Sequence, residues 1–466
     1  MNAGDTAWVL VSAALVLLMS PGLAIFYGGM TRVKSMLNMM MMSFGALALV
    51  GVLWVLFGYS IAFGTDAGDG LFGDPFERFG LHGLLATDSS MPLVGTIPEI
   101  VFVGFQGVFA TVTVALVSGA IADRAKFASW MVFAGLFAVF VYFPVAHWVF
   151  DSKVDAQGTF IGGWLNHLGL IDFAGGTAVE VLAGAAGLAL ALVLGKRVGF
   201  GKDPEHRPHN LPLVMLGCGL LWFGWFGFNA GSALAANGEA GFAWINTLVA
   251  PCAAVLSWLV VEKVRDGHAT SFGAASGAVA GLVAITPSCA TIEPAWAIVL
   301  GAVAGAVCAL AVGLKYRFGY DDSLDVVGVH LVGGIVGTLF IGLAASPDAP
   351  VPGRGLFYGG GLDLLGIQAL GTASVLGYSF GVALALALGI KAVMGFRVTK
   401  DVEEAGVDLV IHAETAYSSS STGGGFHPLG VRHTVETLLK EHLEKHRETP
   451  REEVLAGAAR AGSVGP

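Results

Sequence analysis

The sequence predicts an all-α integral membrane protein with eleven transmembrane helices, arranged as two inverted five-helix repeats plus a final helix. Three observations carry that expectation: the composition, the spacing of long apolar runs, and a polar pattern that recurs 150 residues apart. Of 466 residues, 55% are hydrophobic and only 12% charged, with a mean hydropathy of +0.74. Soluble domains do not reach such values. The net charge of −10 averages loops and tail over an uncharged bilayer-facing surface, so it says little about partners. There is no basic stripe interleaved with aromatics, and nucleic-acid binding therefore finds no support.

Apolar runs long enough to cross a ~30 Å hydrocarbon core begin near Trp8, Asn38, Pro98, Phe127, Phe173, Leu211, Phe242, Ser271, Pro294, Val326 and Gln368. No basic segment precedes the first, which reads as a retained helix rather than a cleaved signal. Basic residues concentrate in alternate loops, at Arg32 and Lys34, Arg124 and Lys126, Lys196 and Arg197, Lys263 and Arg265, and Lys315 and Arg317. The other loops are acidic or small. By the positive-inside rule the N-terminus is outside and the C-terminus cytoplasmic, in a multi-pass protein of the cell membrane. Hydropathy collapses after Lys400. The chain thus divides into a transmembrane domain at 1–398, a cytoplasmic tail at 399–417, and a Ser/Gly-linked extension at 418–466 expected to be disordered. Cys218, Cys252, Cys289 and Cys308 show no CxxC spacing; they read as buried free thiols, and no metal site or cofactor is expected.

The recurring pattern is D-x7-[E/H]-x3-G-x2-G. Asp172, Glu180, Gly184 and Gly187 return as Asp322, His330, Gly334 and Gly337 on the fifth and tenth apolar runs. Five is odd, so the copies cross the membrane in opposite directions, as in many transporters. Eight residues at 1.5 Å rise carry Glu180 and His330 about 12 Å inward from the two aspartates, and both approach the midplane of a ~30 Å core. An ionisable side chain at that depth costs from ~2.5 to more than 10 kcal/mol. Such a pair either ties two helices together or lines a pathway for protons or a small hydrogen-bonding solute. The cost favours the pathway, since a neutral pair would tie helices with less desolvation. Asp172 and Asp322 fall at helix starts, where a carboxylate caps free N–H groups or meets a solute. The glycines offer a face for close helix packing.

Four longer runs are SPGLAIFYGGM at 20–30, DFAGGTAVE at 172–180, GWFGFNAGS at 224–232 and DDSLDVVGVH at 321–330. In this order they resemble the ammonium transporter (Amt/Mep/Rh) family, bacterial Amt type, over residues 4–417. Glu180 stands where most bacterial relatives have the first pore histidine, a replacement that resembles some fungal members. The resemblance implies a homotrimer with a pore in each protomer, conducting ammonium or ammonia, with methylammonium as an analogue. It implies that Glu180 and His330 form the proton relay and that Phe109 and Phe228 form the gate. Phe105, Phe150, Asp172 and Ser232 would recruit ammonium, and Trp225, Asn229 and Thr286 would border the path. Phe150 replaces the usual vestibule tryptophan, and Trp148 is offset from that position.

An aromatic face attracts a cation by ~0.5–2 kcal/mol, which makes an aromatic vestibule a sensible ammonium trap. The run GFRVTKDVEEAGVDLVIHAETAY at 395–417 resembles the family's cytoplasmic tail, which couples protomers and meets PII signalling proteins; Ala413 replaces the usual glycine after His412. Two other functions compete. An ammonium sensor or receptor is one, although the tail leaves no room for a kinase or cyclase domain. An Rh-like gas channel is the other, and the GGTAVE and FNAGS runs lie closer to the Amt branch. No nucleophile, base and orienting group occur together, so neither an enzyme nor a catalytic residue is expected.

Overall fold

The structure, a computed structural model, describes residues 1–84, 91–155, 157–202 and 207–417. The extension expected at 418–466 lies outside the described residues. Among the described residues, ten helices are long and apolar enough to cross a membrane. They are α1 (Ala3–Met30), α2 (Val33–Phe63), α3 (Glu99–Ile121), α4 (Phe127–Phe150), α5 (Gly176–Leu194), α6 (Leu211–Gly231), α7 (Gly238–Asp266), α9 (Pro294–Phe318), α10 (Val327–Ala344) and α11 (Asp363–Met394). A shorter apolar helix, α8 (Ser271–Ile285), lies between α7 and α9. Every predicted apolar run therefore coincides with a helix, although one of them falls short of the length that a straight span requires.

Helix starts depart from the hydropathy reading where a polar side chain takes the free N–H groups of the first turn. Asn2 accepts from Gly4 and Asp5, so α1 begins ahead of Trp8. Asn237 accepts from Ala240, so α7 begins ahead of Phe242. Burial then separates the centre from the rim. The apolar stretch of α5 is 89% buried, whereas those of α2 and α11 are 28% buried and present Phe44, Val52, Leu370 and Leu388 outward. Outward Leu and Val cost nothing where the surrounding solvent is itself hydrocarbon. Of the four thiols, Cys218, Cys289 and Cys308 are buried as expected. Cys252 is exposed on α7, where the apolar surroundings read from the sequence prove to be the helix's outward side.

Helix neighbours obey the repeat. The pairs α1–α2, α1–α3, α2–α3, α2–α4 and α3–α5 have counterparts five helices on in α6–α7, α6–α8, α7–α8, α7–α9 and α8–α10. α1–α6 and α5–α10 each set a helix against its own counterpart. α1 and α6 run antiparallel along their whole length: Gly29 meets Asn210 and Val214, Gly22 meets Leu221, and Ser12 meets Gly227 and Gly231. α11 has no counterpart and packs against α4, α5 and α10. At the centre α5 and α10 nearly touch. A Cβ added to Gly184 would stand 2.4 Å from the Leu331 nitrogen, and one added to Gly334 would stand 2.9 Å from the Gly176 oxygen.

At the end of the bundle that carries the tail, three loops are pinned by buried ions. Arg197 pairs with Asp123 at 2.8 Å and Asp321 at 2.9 Å, while Arg124 donates to Ser323, the Asp321 carbonyl and the Gly195 carbonyl. Burial alone would raise the Asp321 carboxyl, but Arg124 and Arg197 hold it below the usual range. The tail itself, α12 (Lys400–Ala405) and the turn Asp408–His412, docks on the start of α2. Asp408 accepts from the Leu37 and Asn38 N–H groups, and His412 bonds the Asn38 side chain at 3.0 Å. Ala413 then adopts φ 55, the left-handed conformation that the usual glycine takes without strain.

Gly184→Val should destabilise the bundle by about 1–3 kcal/mol through overpacking, whereas Gly366→Val, in a position where a Cβ meets nothing within 4 Å, should leave the melting temperature in detergent almost unchanged. Equal melting temperatures for the two variants would contradict the close crossing of α5 and α10.

Candidate functional site

The site is built at the start of the two repeated helices. The Asp172 carboxylate accepts four N–H groups, those of Gly175 and Gly176 on one oxygen and those of Thr177 and Ala178 on the other, at 2.7–3.1 Å. Asp322 accepts from Val326 at 3.1 Å and Val327 at 2.7 Å. Between cap and helix the chain passes through the left-handed region at Gly175, φ 111, and at Asp325, φ 63, again 150 residues apart. The helices then open with wide π-type turns, Gly176–Val181 and Val327–Leu331. Such turns recur at functional sites, and these two hold Glu180 and His330. The Glu180 carboxylate and His330 Nδ1 meet at 2.6 Å, both buried.

A broken line of cavities runs past this pair. The first, of about 290 Å³, opens at the end of the bundle opposite the tail and is lined by Phe109, Phe150, Asp172 and Ser232, with Phe102 and Gln106. Its floor is closed by Phe109 and Phe228, stacked with ring centroids 4.0 Å apart and planes at 23°. Beyond the stack lies a slot of about 10 Å³ between Phe228, Trp225, Glu180, His330 and aliphatic side chains, room for roughly a single water. A second slot follows beside His330, Val329, Tyr27 and Asp325. It meets a cavity of about 570 Å³ at the tail end, where Arg197, Lys315 and Asp325 form part of the wall.

The residues singled out in the sequence fall unequally along this line. Glu180, His330, Phe228 and Trp225 wall the narrow part; Phe109, Phe150, Asp172 and Ser232 wall the first cavity. Asp172 does so with both oxygens already held by its own helix start. Phe105 is fully buried, packed on Phe109 at 4.9 Å and beside Gly231, and does not line the first cavity. Thr286 reaches the line only through Trp225, whose Nε1 donates to its hydroxyl at 2.8 Å. Asn229 turns away and donates to Thr247 at 3.0 Å. Trp148 lies elsewhere, donating to the Leu71 carbonyl and packed on Trp164 and Tyr378.

Several wall residues escaped the sequence reading. Gln106 is a polar side chain three positions before Phe109 in an otherwise apolar run, and that spacing on a helix was a usable signal. Asn166, on the short helix Trp164–His167, and Asp325, in the loop ahead of α10, approach the line through turns that hydropathy does not report.

The sequence profile of the Ammonium Transporter Family matches residues 7–417. The chain belongs to the ammonium transporter family. It is 56% identical over 454 residues to a protein named ammonium transporter from Mycobacterium tuberculosis, covering 93% of this chain and 94% of that one. Among solved structures it is similar to Mep2 of Saccharomyces cerevisiae, with a TM-score of 0.77 and 35% identity over 86% of this chain and 88% of that one. It is also similar to a structure titled Sensor Amt Protein, with a TM-score of 0.79 and 30% identity over 87% and 97% of the two chains. The line of cavities in this family member therefore has the carboxylate of Glu180 at its centre.

Asp151 follows Phe150, which lines the first cavity. Burial lifts its carboxyl to about 6, against the pull of the Lys153 ammonium, which lies 3.7 Å away. Because the folded value exceeds the ordinary ~3.9, the folded chain takes up this proton first. Folding thus gains stability as pH falls from about 6 towards 4, and the cost of the charged form is fully present above 6. The rise in melting temperature between pH 7 and pH 5 should therefore be smaller in Asp151→Asn than in the unaltered protein, and an identical rise in both would contradict the assignment.

Proposed function

We propose that this protein conducts ammonium across the cytoplasmic membrane by splitting it at the phenylalanine stack and passing ammonia and the proton on separately. The observation that carries the reading is the narrow part of the line: a path with room for roughly one small molecule, walled by apolar side chains and interrupted by one buried Glu–His pair. An unpaired ion in such a space loses up to tens of kcal/mol of solvation, while deprotonating an amine of pKa about 9 at pH 7 costs ~3 kcal/mol at 1.36 per unit. Splitting is the cheaper route. Ammonium is recruited among Phe150, Ser232 and Phe102, loses its proton at Phe109 and Phe228, and ammonia crosses the slots. Glu180 and His330, within hydrogen-bond distance of one another, relay it as one coupled unit.

In this reading the first cavity faces outside and the tail faces the cytoplasm, with 1–398 as the transport domain and 399–417 as a regulatory tail. The docking of Asp408 and His412 on α2 suits a tail that reports on the bundle and offers a surface to a PII signalling protein. The outward apolar faces suit a homotrimer. The curated relatives carry the name transporter, and transport is accordingly favoured over sensing.

The test is paired recording of current and methylammonium uptake in proteoliposomes from pH 5 to 8. Phe228→Ala should open the slot and alter both signals. Glu180→His should keep the pore conducting with a displaced pH optimum. Glu180→Ala should lower proton-coupled current about tenfold or more, in the range that a positioned proton-transfer group contributes, with a smaller effect on ammonia permeation. Superimposable pH profiles in the unaltered protein and all three variants would eliminate the relay.

A further inference from the structure

The two halves of the repeat follow the same backbone turns just ahead of the wide turns, and among the residues that differ is a pair that carries charge in one half alone. In each half a short helical segment ends in a left-handed glycine, Gly169 after Trp164–His167 and Gly319 after Leu314–Phe318. A capping aspartate and a second left-handed residue follow in each. Within this shared frame Leu165 and Gly175 of the first half are replaced by Lys315 and Asp325 of the second. Lys315 Nζ pairs with the Asp325 carboxylate at 2.7 Å and also donates to the Asp322 carbonyl at 3.0 Å. The first half folds through the same turns with an apolar side chain and no side chain at all. The turn geometry therefore does not require the ion pair.

Its position is more telling. Asp325 lines both the slot beside His330 and the wide cavity at the tail end, so it stands where the narrow path ends. The two slots are walled by two carboxylates, Glu180 and Asp325, and each has a basic partner within hydrogen-bond distance: His330 at 2.6 Å and Lys315 at 2.7 Å. Unpaired carboxylates along a pore select cations. A carboxylate already neutralised by a lysine offers a passing cation no such site, yet leaves a neutral amine its way out.

We propose that Lys315 and Asp325 form a selectivity element at the exit of the path: by occupying the Asp325 carboxylate, Lys315 stops the exit from acting as a site for potassium or intact ammonium. This inference rests on the transport reading above. It adds a residue outside the pore wall's centre that sets discrimination between cation and neutral solute, and it gives Lys315 a role that its counterpart Leu165 cannot have.

The experiment compares potassium-driven with ammonium-driven current in proteoliposomes at matched protein amount and measured melting temperature. Lys315→Met leaves the Asp325 carboxylate bare, and the potassium-to-ammonium current ratio should rise at least about fivefold, the scale of one unit charge at close range in a water-like medium. Lys315→Arg should keep the original ratio. The double change Lys315→Met with Asp325→Asn should return the ratio to within about twofold of the unaltered protein, and Asp325→Asn alone should not raise it. An unchanged ratio in folded Lys315→Met overturns the proposal, as does a raised ratio that persists in the double variant. Should Lys315→Met fail to fold, a raised ratio in Asp325→Asn overturns it equally, since that variant has no carboxylate to bare. An absent ammonium-driven signal in the unaltered protein would instead strike the transport reading itself.

Discussion

The close crossing of α5 and α10 is the constraint on which the remainder of the structure depends. Where Gly184 meets the Leu331 backbone and Gly334 meets the Gly176 carbonyl, no side chain fits between the helices. The two wide turns are thereby held within reach of one another, and Glu180 and His330 come to 2.6 Å. A buried carboxylate and imidazole are expensive singly. Only a crossing tight enough to let them share a proton makes the pair tolerable at that depth. The aspartate caps serve the same end: each satisfies N–H groups that a helix start would otherwise leave bare in a medium without water.

Much of the fold was legible because a membrane protein writes its architecture in coarse hydropathy. Every apolar run is a helix, and the 150-residue pattern marks both the repeat and its central pair in the sequence itself. The capping of α5 and α10 by Asp172 and Asp322 was readable from their place at helix starts. What escaped was local. Phe105 and Phe109 are indistinguishable by sequence chemistry, and only packing shows that Phe105 lies behind the stack while Phe102 and Gln106 line the cavity. Asp325 carries no sequence signal beyond being one aspartate in DDSLD; its place beside the path follows from a left-handed backbone that hydropathy cannot report.

The two ends of the bundle solve the same problem differently. At the end opposite the tail, the loops are held by backbone turns, by the packed rings of Trp148 and Trp164, and by longer ion pairs such as Arg78–Glu99 at 3.9 Å and Lys153–Asp151 at 3.7 Å. At the tail end the loops are tied by Arg124, Arg197, Asp123 and Asp321, a network in which each charge has its partner. The tail joins this network, since Arg397 pairs with Glu403 at 2.7 Å and Glu403 in turn accepts from the Val198 N–H. A displacement of the tail therefore reaches the loop that carries Arg197, which also walls the cavity at that end.

The wide turns have an implication for how the chain tolerates insertion and deletion. A π-type turn holds one residue more than an α-helix needs for the same advance, so α5 and α10 each carry a surplus residue next to the pair. Removing one residue from 176–181 would let the turn relax to ordinary helix. Everything on its N-terminal side, including the Asp172 cap, would then rotate by about 100° relative to Gly184, given 3.6 residues per turn. Length in this short segment is consequently as tightly specified as identity, whereas the outward faces of α2 and α11 can drift in sequence so long as they stay apolar.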